Sequence, residues 1–325
     1  PLVPFDYISA KFFPITTYVN MPSSAFHFRI MGNYRYSKFT MVYRQIGPEF
    51  VSLANPYLTT NIREFVFTNR LALIENKLLI SATYKYKDDK ILHIVKEPLK
   101  TKTLVASLTF MPGANAPSFV VNFQTIGKNN SKTELEKVGE EWQDFRQDSR
   151  TNNSFFSVTY PFSMGRIKHN LNVNVNKIVN EDQLAGDRKT DYFFQKSDSK
   201  TMSLALSSHF SIPLRTIANF SRTSIQVPVQ DKDGNISANE LVWTSISGNG
   251  HYSFFNNKLK VNAGLTYLTN KGTTPISLYG FKSGADYTII NGMTASLSGH
   301  VQMRDDNSGF SLNTSGFLFS FRYNF

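Results

Sequence analysis

The sequence predicts an all-β protein, a transmembrane antiparallel up-and-down β-barrel of about 14 strands, or about 16 if residues 5–13 also pair. Three observations lead to this prediction. Apolar and polar residues alternate over segments of about ten residues, the length of a tilted membrane-spanning strand. Short and long connections follow one another along the chain. The last strand carries an aromatic residue at every second position.

The composition narrows the class of protein. The 325 residues suffice for one large β domain, and 14% of them are aromatic. No apolar run approaches the ~18 residues of a membrane helix, which excludes a helical membrane protein but leaves a barrel open. Cysteine is absent, so disulfides and thiolate chemistry are excluded. The net charge is +11, with Lys and Arg spread along the chain, so we expect anionic solutes or lipid headgroups and no nucleic acid.

Alternation is strongest in residues 167–176, where Ile167, Leu171, Val173 and Val175 are separated by polar residues. Period two places these apolar side chains on one face of an extended strand. The segments near 213–223, 241–254 and 276–290 lose this period, which predicts bulges. The segments with clear alternation are 24–31, 64–73, 78–87, 167–176, 259–267 and 293–304.

Two kinds of connection join these strands. The short ones contain Gly or Asn, residues that tolerate the positive φ of tight hairpins. They lie near Gly32, Asn76, 111–117, Gly165, Pro213, Asn256 and Asn291–Gly292. The long polar connections are 46–61, 88–100, 128–151, 178–199 and 224–240. Alternating short and long connections are typical of a membrane barrel with short turns at one end and long loops at the other.

The final strand has one wholly aromatic face. A second sheet of a soluble sandwich could bury such a face, or a barrel could present it to lipid. The aromatic residues are Phe317, Phe319, Phe321, Tyr323 and Phe325.

If the aromatic faces contact lipid, the polar faces point into the lumen, and they are rich in cations. Either these cations pair with carboxylates such as Glu64 and fill a wet lumen, or they make a pore that favours anions. The asparagines of residues 167–176 add a neutral stripe that could line a path for sugars. The lumen-facing candidates are Arg29, Arg44, Arg70, Lys85, Lys168, Asn170, Asn172, Asn174 and Arg304.

One long connection shows helical spacing. Between residues 133 and 147, Leu135, Val138, Trp142 and Phe145 recur at steps of three and four. This stripe predicts a short helix that either packs on the barrel rim or covers the pore.

No pattern in the sequence indicates catalysis. The six histidines have no metal-ligand or triad spacing, and phosphate-binding or nucleophile motifs are absent. We therefore expect neither an enzyme nor a bound metal or cofactor.

The terminal aromatic row ending at Phe325 resembles the assembly signal of Gram-negative outer-membrane β-barrels. The resemblance implies a place in the bacterial outer membrane. The partners it implies are outer-membrane lipid, lipopolysaccharide, the barrel assembly machinery and other envelope proteins.

A second stretch, residues 43–65, is similar to one found in large Bacteroidota outer-membrane proteins, a family that brings no catalytic residues. In such proteins a separate region often precedes the barrel, so we expect residues 1–23 to be a lead-in segment and residues 24–325 to form the barrel. The residues that carry this resemblance are Arg44, Ile46, Gly47, Pro48, Phe50, Ser52 and Leu53.

Together these features predict an outer-membrane barrel that acts as a pore for small polar or anionic solutes, or as a membrane anchor and scaffold for partner proteins. The alternatives are a barrel enzyme of the outer membrane and a soluble glycan-binding β protein.

Overall fold

The computed structural model describes residues 23–51, 59–89, 98–184, 196–230, 236–271, 275–290, 293–306 and 311–323. These residues form seventeen strands. In the first half of the chain the strands are β1 Ala25–Asn33, β2 Ser37–Ile46, β3 Ile62–Leu73, β4 Leu78–Asp89, β5 Lys100–Phe110, β6 Ser118–Asn129, β7 Glu136–Val138, β8 Glu141–Gln143 and β9 Asp148–Met164. In the second half they are β10 Ile167–Asp182, β11 Lys196–His209, β12 Leu214–Gln230, β13 Ile236–Phe254, β14 Leu259–Lys271, β15 Ile276–Ile290, β16 Met293–Asp306 and β17 Ser311–Tyr323.

Fifteen of the strands form one sheet, in which each strand lies beside its neighbour in sequence. The exception is the short pair β7–β8, which forms a sheet of its own between the paired strands β6 and β9. This arrangement confirms the predicted antiparallel up-and-down topology, with 15 strands against the expected 14. Among the described pairings the order runs from β1 to β17, so closure of the sheet into a barrel stays a prediction.

The chain divides into two compact units. The first comprises Pro1–Leu108, Asn122–Asn153 and Asn180–Gln195, and the second comprises Thr109–Val121, Ser154–Val179 and Lys196–Phe325. The first unit contains β1–β4 and the second contains β11–β17.

The tight turns use the backbone geometry that the sequence predicts. Asn76 has φ 66° in the β3–β4 turn, Asn257 has φ 68° in the β13–β14 turn, and Gly165 has φ 62° between β9 and β10. The first turn is closed by the Lys77 amide donating to the Ile74 carbonyl at 2.9 Å. The predicted turn at Asn291–Gly292 lies outside the described residues.

The predicted long connection at 224–240 is wrong, because β12 continues to Gln230 and β13 starts at Ile236. The predicted bulges in β12 and β13 are also wrong, since their pairing is continuous from Leu214–Tyr252 to Gln230–Ile236. A register shift does occur in β15, between Thr288 and Ile290. Ser, Thr and Gly on both faces of β13 hide the alternation, but the backbone ladder needs no alternation of side-chain polarity.

The predicted helix over 133–147 is wrong, because the structure has the β7–β8 hairpin there. Asn130 holds the base of the hairpin: its Nδ2 donates to the Phe145 carbonyl at 2.6 Å, and its Oδ1 accepts from the Gln147 amide at 2.9 Å. Both ends of the segment are therefore fixed side by side, which an extended helix could not satisfy. Gly139 turns the chain with φ 67°. Of the four stripe residues, Leu135 and Phe145 are exposed at 44% and 45%, while the side chains of Val138 and Trp142 lie outside the description.

No helix in the described part of the chain is long and apolar enough to cross a membrane. The predicted lead-in segment, residues 1–23, falls outside the described residues except for Ser23.

Candidate functional site: the polar face of the sheet

In the first unit, strand register collects the predicted cations on one face. Arg44 lies opposite His27 on β1 and opposite Glu64 on β3. Directly paired residues in an antiparallel sheet point to the same side, and side chains alternate along each strand. The polar face of β1–β4 therefore carries the cations Arg29, Lys38, Arg44, Arg70, Lys85 and Lys87 and the carboxylates Glu64 and Asp89.

Glu64 is the centre of an ion cluster on this face. Its Oε2 accepts from Arg44 Nη2 at 2.6 Å, and its Oε1 lies 2.8 Å from Lys85 Nζ. The side chain of Glu64 is only 11% exposed, whereas Arg44 and Lys85 are about 40% exposed. One buried carboxylate thus holds two cations, so the cluster keeps a net positive charge. A third ion pair joins Lys87 to Asp89 at 2.8 Å.

Arg29 and Arg70 complete the predicted set in this unit. Both are exposed, and neither has an ion pair or hydrogen bond within the residues that the structure describes. This face of the first unit therefore carries both paired cations and cations without a partner among the described residues.

In the second unit the same kind of face is mostly neutral. Asn172 Nδ2 donates to Thr159 Oγ1 at 2.8 Å, and Asn174 Nδ2 donates to Asn172 Oδ1 and to Ser203 Oγ. Asn219 continues this pattern on β12 with a 3.2 Å bond to Ser247. The predicted asparagine stripe is therefore part of a band of amide and hydroxyl groups, and much of its hydrogen-bonding capacity is used between strands.

The remaining candidates lie at the two ends of this face. Asn170 and Lys168 are exposed toward the short-turn end of β10. Arg304 lies toward the long-loop end of β16, opposite Leu278. Its Nε is buried without a hydrogen-bond partner in the described part of the chain.

The opposite face is apolar and uncovered. Leu265, Leu297 and Phe319 are exposed at 65%, 53% and 68%. Register places Leu297 beside Phe319, so the terminal aromatic row shares its face with the apolar residues of β16. Phe317, Phe321 and Tyr323 belong to the same row, and Phe325 lies outside the described residues.

Each unit has an ion pair on its apolar face, near the end where the long loops lie. In the first unit, Arg63 Nη2 contacts Asp88 Oδ2 at 2.9 Å, on the face opposite Glu64. In the second unit, Lys177 pairs with Asp198 at 3.1 Å on the face that carries Val173 and Met202. Sequence reasoning missed both pairs, because their partners lie on different strands and only register brings them together.

His169 is the polar interruption that the alternation of β10 reveals. Its Nδ1 lies 2.8 Å from Ser208 Oγ, and its ring stacks on Phe162 with centroids 4.9 Å apart. Ser208 is 6% exposed. His169 therefore has a structural role on the apolar face, close to a short turn. No group of three or more His, Asp or Glu residues arranged for a metal occurs within the described ranges.

Neither a family model nor a curated protein matches the sequence. Among solved structures, the chain is similar to the ferric citrate transporter FecA in its unliganded form, with a TM-score of 0.55 and 10% identity over 92% of this chain and 53% of that one. The copper transporter OprC gives a TM-score of 0.49 and 11% identity over 92% and 55% of the two chains. The alcaligin outer-membrane receptor FauA of Bordetella pertussis gives 0.41 and 12% identity over 92% and 64%.

The chain thus spans between about half and two thirds of the length of these structures. The likenesses to OprC and FauA are too weak to add to the argument. At 10% identity, the likeness to FecA shows that the two chains share a fold, and it says nothing of what either chain binds. The chain has an all-β, antiparallel up-and-down fold that is also found in a transporter.

Proposed function

We propose that residues 24–325 form an integral β-barrel of the bacterial outer membrane, and that its polar face lines a water-filled path for small polar or anionic solutes. The observation that carries the proposal is the distribution of apolar side chains. Among the described residues, the buried hydrophobic ones are Ile46 and Ile62. Large apolar side chains are exposed instead along one face of the sheet.

A water-soluble fold of this size would expose this face at great cost. Burying a Leu or Phe side chain is worth about 1.5–3 kcal/mol, and here that free energy is available only from an apolar surrounding outside the sheet. A lipid bilayer supplies such a surrounding and needs paired backbone groups, which neighbouring strands of the sheet provide and which closure of the barrel would complete at its two edges. The partners that follow are outer-membrane lipid, lipopolysaccharide and the barrel assembly machinery.

The charge of the polar face favours anions. In the first unit its cations outnumber its carboxylates, and Arg29 and Arg70 have no described counter-charge. One sign of charge along a narrow wet channel raises the local concentration of the opposite ion. The likeness to FecA, a ferric citrate transporter, supports a transport role for this fold.

Planar-bilayer recording under a salt gradient tests the proposal. We expect stepwise conductance with a reversal potential whose sign indicates preference for chloride over potassium. A double variant, Arg29→Ser with Arg70→Ser, should move the reversal potential toward zero.

The matched control is Lys102→Ser. Ser107 on β5 shares the polar face because its Oγ bonds Ser81 Oγ at 2.7 Å, so Lys102 lies on the opposite face of the same strand. Removing this charge should leave the reversal potential unchanged. Cation preference, or equal effects of both variants, would contradict the anion path. No conductance from membrane-inserted protein would favour a membrane anchor over a pore.

A further inference from the structure

Two cations and two histidines lie side by side at one level of the polar face in the second unit. Strand register places His209 opposite Arg215, and Arg215 opposite His251. The His169–Ser208 and Asn174–Ser203 hydrogen bonds join the neighbouring strands β10 and β11 at positions that fit one register, from which we infer that Lys168 lies opposite His209. We call Lys168, His209, Arg215 and His251 the cationic row.

The row spans four adjacent strands, so its members follow one another at intervals of about 5 Å. All four side chains are exposed, and none has an ion pair or hydrogen bond within the described residues. Like charges on directly opposed residues destabilise a sheet. Among the described residues, no carboxylate lies at that level to offset this cost, which leaves room for an external anion.

The surroundings contain few competing charges. Next toward the turn on β13 comes Ser253, opposite Lys260, and Lys260 lies opposite Asp286 on β15. Lys282 and His300 face each other farther along the sheet. On the other side, Arg166 lies in the turn before β10. Asp286 is therefore the nearest described carboxylate on this face, and it already lies opposite a lysine.

A cavity of about 410 Å³ opens beside the row. His209, Arg215, His251 and Ser253 line it together with the turn that joins β11 to β12. Backbone hydrogen bonds fix this turn: the Phe210 amide donates to the Leu214 carbonyl at 3.1 Å, and the Ser253 amide donates to the Pro213 carbonyl at 3.0 Å. The cavity thus has a hydrogen-bonded turn on one side and the side chains of His209, Arg215 and His251 on the other.

We propose that the cationic row is a binding site for a small soluble oxyanion, and that acidification strengthens the binding. Arg215 and Lys168 supply permanent charge, and a guanidinium matches the paired oxygens of a carboxylate, phosphate or sulfate. His209 and His251 flank Arg215 on both sides. An imidazole gains a proton and a positive charge on acidification, so acid adds to the positive charge of the row.

The site rests on the proposed function, since it requires that the polar face meet water. At the short-turn end of an outer-membrane barrel, this face opens to the periplasm. A lipid headgroup would approach the sheet from the apolar face, which is why the ligand is a soluble ion.

Sulfate is a suitable probe, because its charge is constant between pH 5.5 and pH 8.0. Calorimetric titration of the full chain in zwitterionic micelles, at fixed ionic strength, should give affinity about tenfold higher at pH 5.5 than at pH 8.0. The double variant His209→Gln with His251→Gln should lose this ratio, and Arg215→Gln should weaken binding at both pH values. His300→Gln, an exposed histidine of the same face outside the row, should keep the wild-type ratio.

Histidine ring resonances of the unmodified chain give a second readout that needs no variant. Sulfate should shift two of the six ring signals, and short-chain phosphatidylglycerol should shift neither of them. Absent sulfate binding, an unchanged pH ratio in the double variant, or shifts caused by the lipid would each overturn the site.

A separate measurement distinguishes failure of the site from failure of the proposed function. The chain has no cysteine, so Ser253→Cys carries one thiol, and a water-soluble maleimide should label it in the membrane-inserted protein. Labelling without sulfate binding overturns the site alone. Absence of labelling overturns the water-filled path as well.

Discussion

Glu64 shows how one carboxylate organises the cationic face of the first unit. Both of its oxygens are occupied, by Arg44 and by Lys85. Replacing it with Gln leaves two cations without a counter-charge, so we expect Glu64→Gln to lower the free energy of unfolding by about 1–3 kcal/mol. Urea titration of the protein in lipid vesicles measures this loss.

Asp89→Asn is the control for that substitution. Among the described residues, Asp89 pairs with Lys87 alone, and both side chains are nearly 30% exposed, so its loss should cost less than about 1 kcal/mol. Equal losses for the two variants would show that burial and the double pairing of Glu64 contribute nothing.

Gly299 makes room for an aromatic ring on the apolar face. It lies opposite Phe317 in the register of β16 and β17. A Cβ at this position would sit 2.8 Å from Phe317 Cε1, so the ring would have to move. Because Phe317 is 84% exposed and its ring can move aside, we expect Gly299→Ala to destabilise the protein by less than about 1 kcal/mol. Urea unfolding of the wild type and the variant in lipid vesicles measures the difference in their free energies of unfolding.

Gly248 is a matched comparison, since it lies on the apolar face of β13 and a Cβ there would meet nothing within 4 Å. Gly248→Ala should be neutral or slightly stabilising, because alanine restricts the unfolded chain more than glycine does. Destabilisation of the same size at both glycines would contradict a specific fit between Gly299 and Phe317.

At the scale of the strand, the alternation of apolar and polar residues predicts strands well where one face is apolar and the other clearly polar, as in β10 and β14. It fails in β13, where Ser245, Ser247, Gly248 and Gly250 blur the two faces although pairing is continuous. Backbone hydrogen bonds fix that strand, and they leave no signature in side-chain type. The β7–β8 hairpin was missed for a related reason, because the amide of Asn130 joins positions that are distant in sequence.

Adjacent residues of β16 test the two faces directly. Leu297 is on the exposed apolar face, whereas Ser296 lies on the polar face opposite Ser320. An arginine near the middle of a bilayer costs about 2–4 kcal/mol on the lipid side of a barrel. Leu297→Arg should therefore lose that amount, and Ser296→Arg should be nearly neutral in vesicle unfolding experiments. Equal costs would mean that neither face contacts lipid.

For the whole molecule, the terminal strand should decide assembly. Phe317, Phe319, Phe321 and Tyr323 form an exposed row on β17, and the strand pairs along its length with β16. Deleting residues 317–325 removes this row together with most of the pairing of β17. We expect the truncated chain to accumulate misfolded in the periplasm. Cell fractionation measures how much of the truncated chain lies in the periplasm and how much in the outer membrane. Normal levels in the outer membrane would contradict the prediction.

Sequence analysis identified cations of the candidate site, but it did not predict which of them lie opposite one another. Polar-face membership follows from alternation within one strand, which is why Arg29, Arg44, Arg70 and Lys85 could be predicted together. Which residues lie opposite one another depends on register between strands, and register is set by turn lengths and packing that span many residues. The cationic row needs the register of β10 to β13, so no single segment of sequence reveals it.

In the proposed membrane barrel, the scarcity of buried apolar residues among the described strands also matters before the sheet is inserted. Each strand pairs with its sequence neighbour, so hairpins can form early, yet a finished hairpin still leaves its aromatic face bare in water. Unpaired edges and bare aromatic faces are the features that drive aggregation. For the proposed membrane barrel, the yield therefore depends on the relative rates of self-association and insertion.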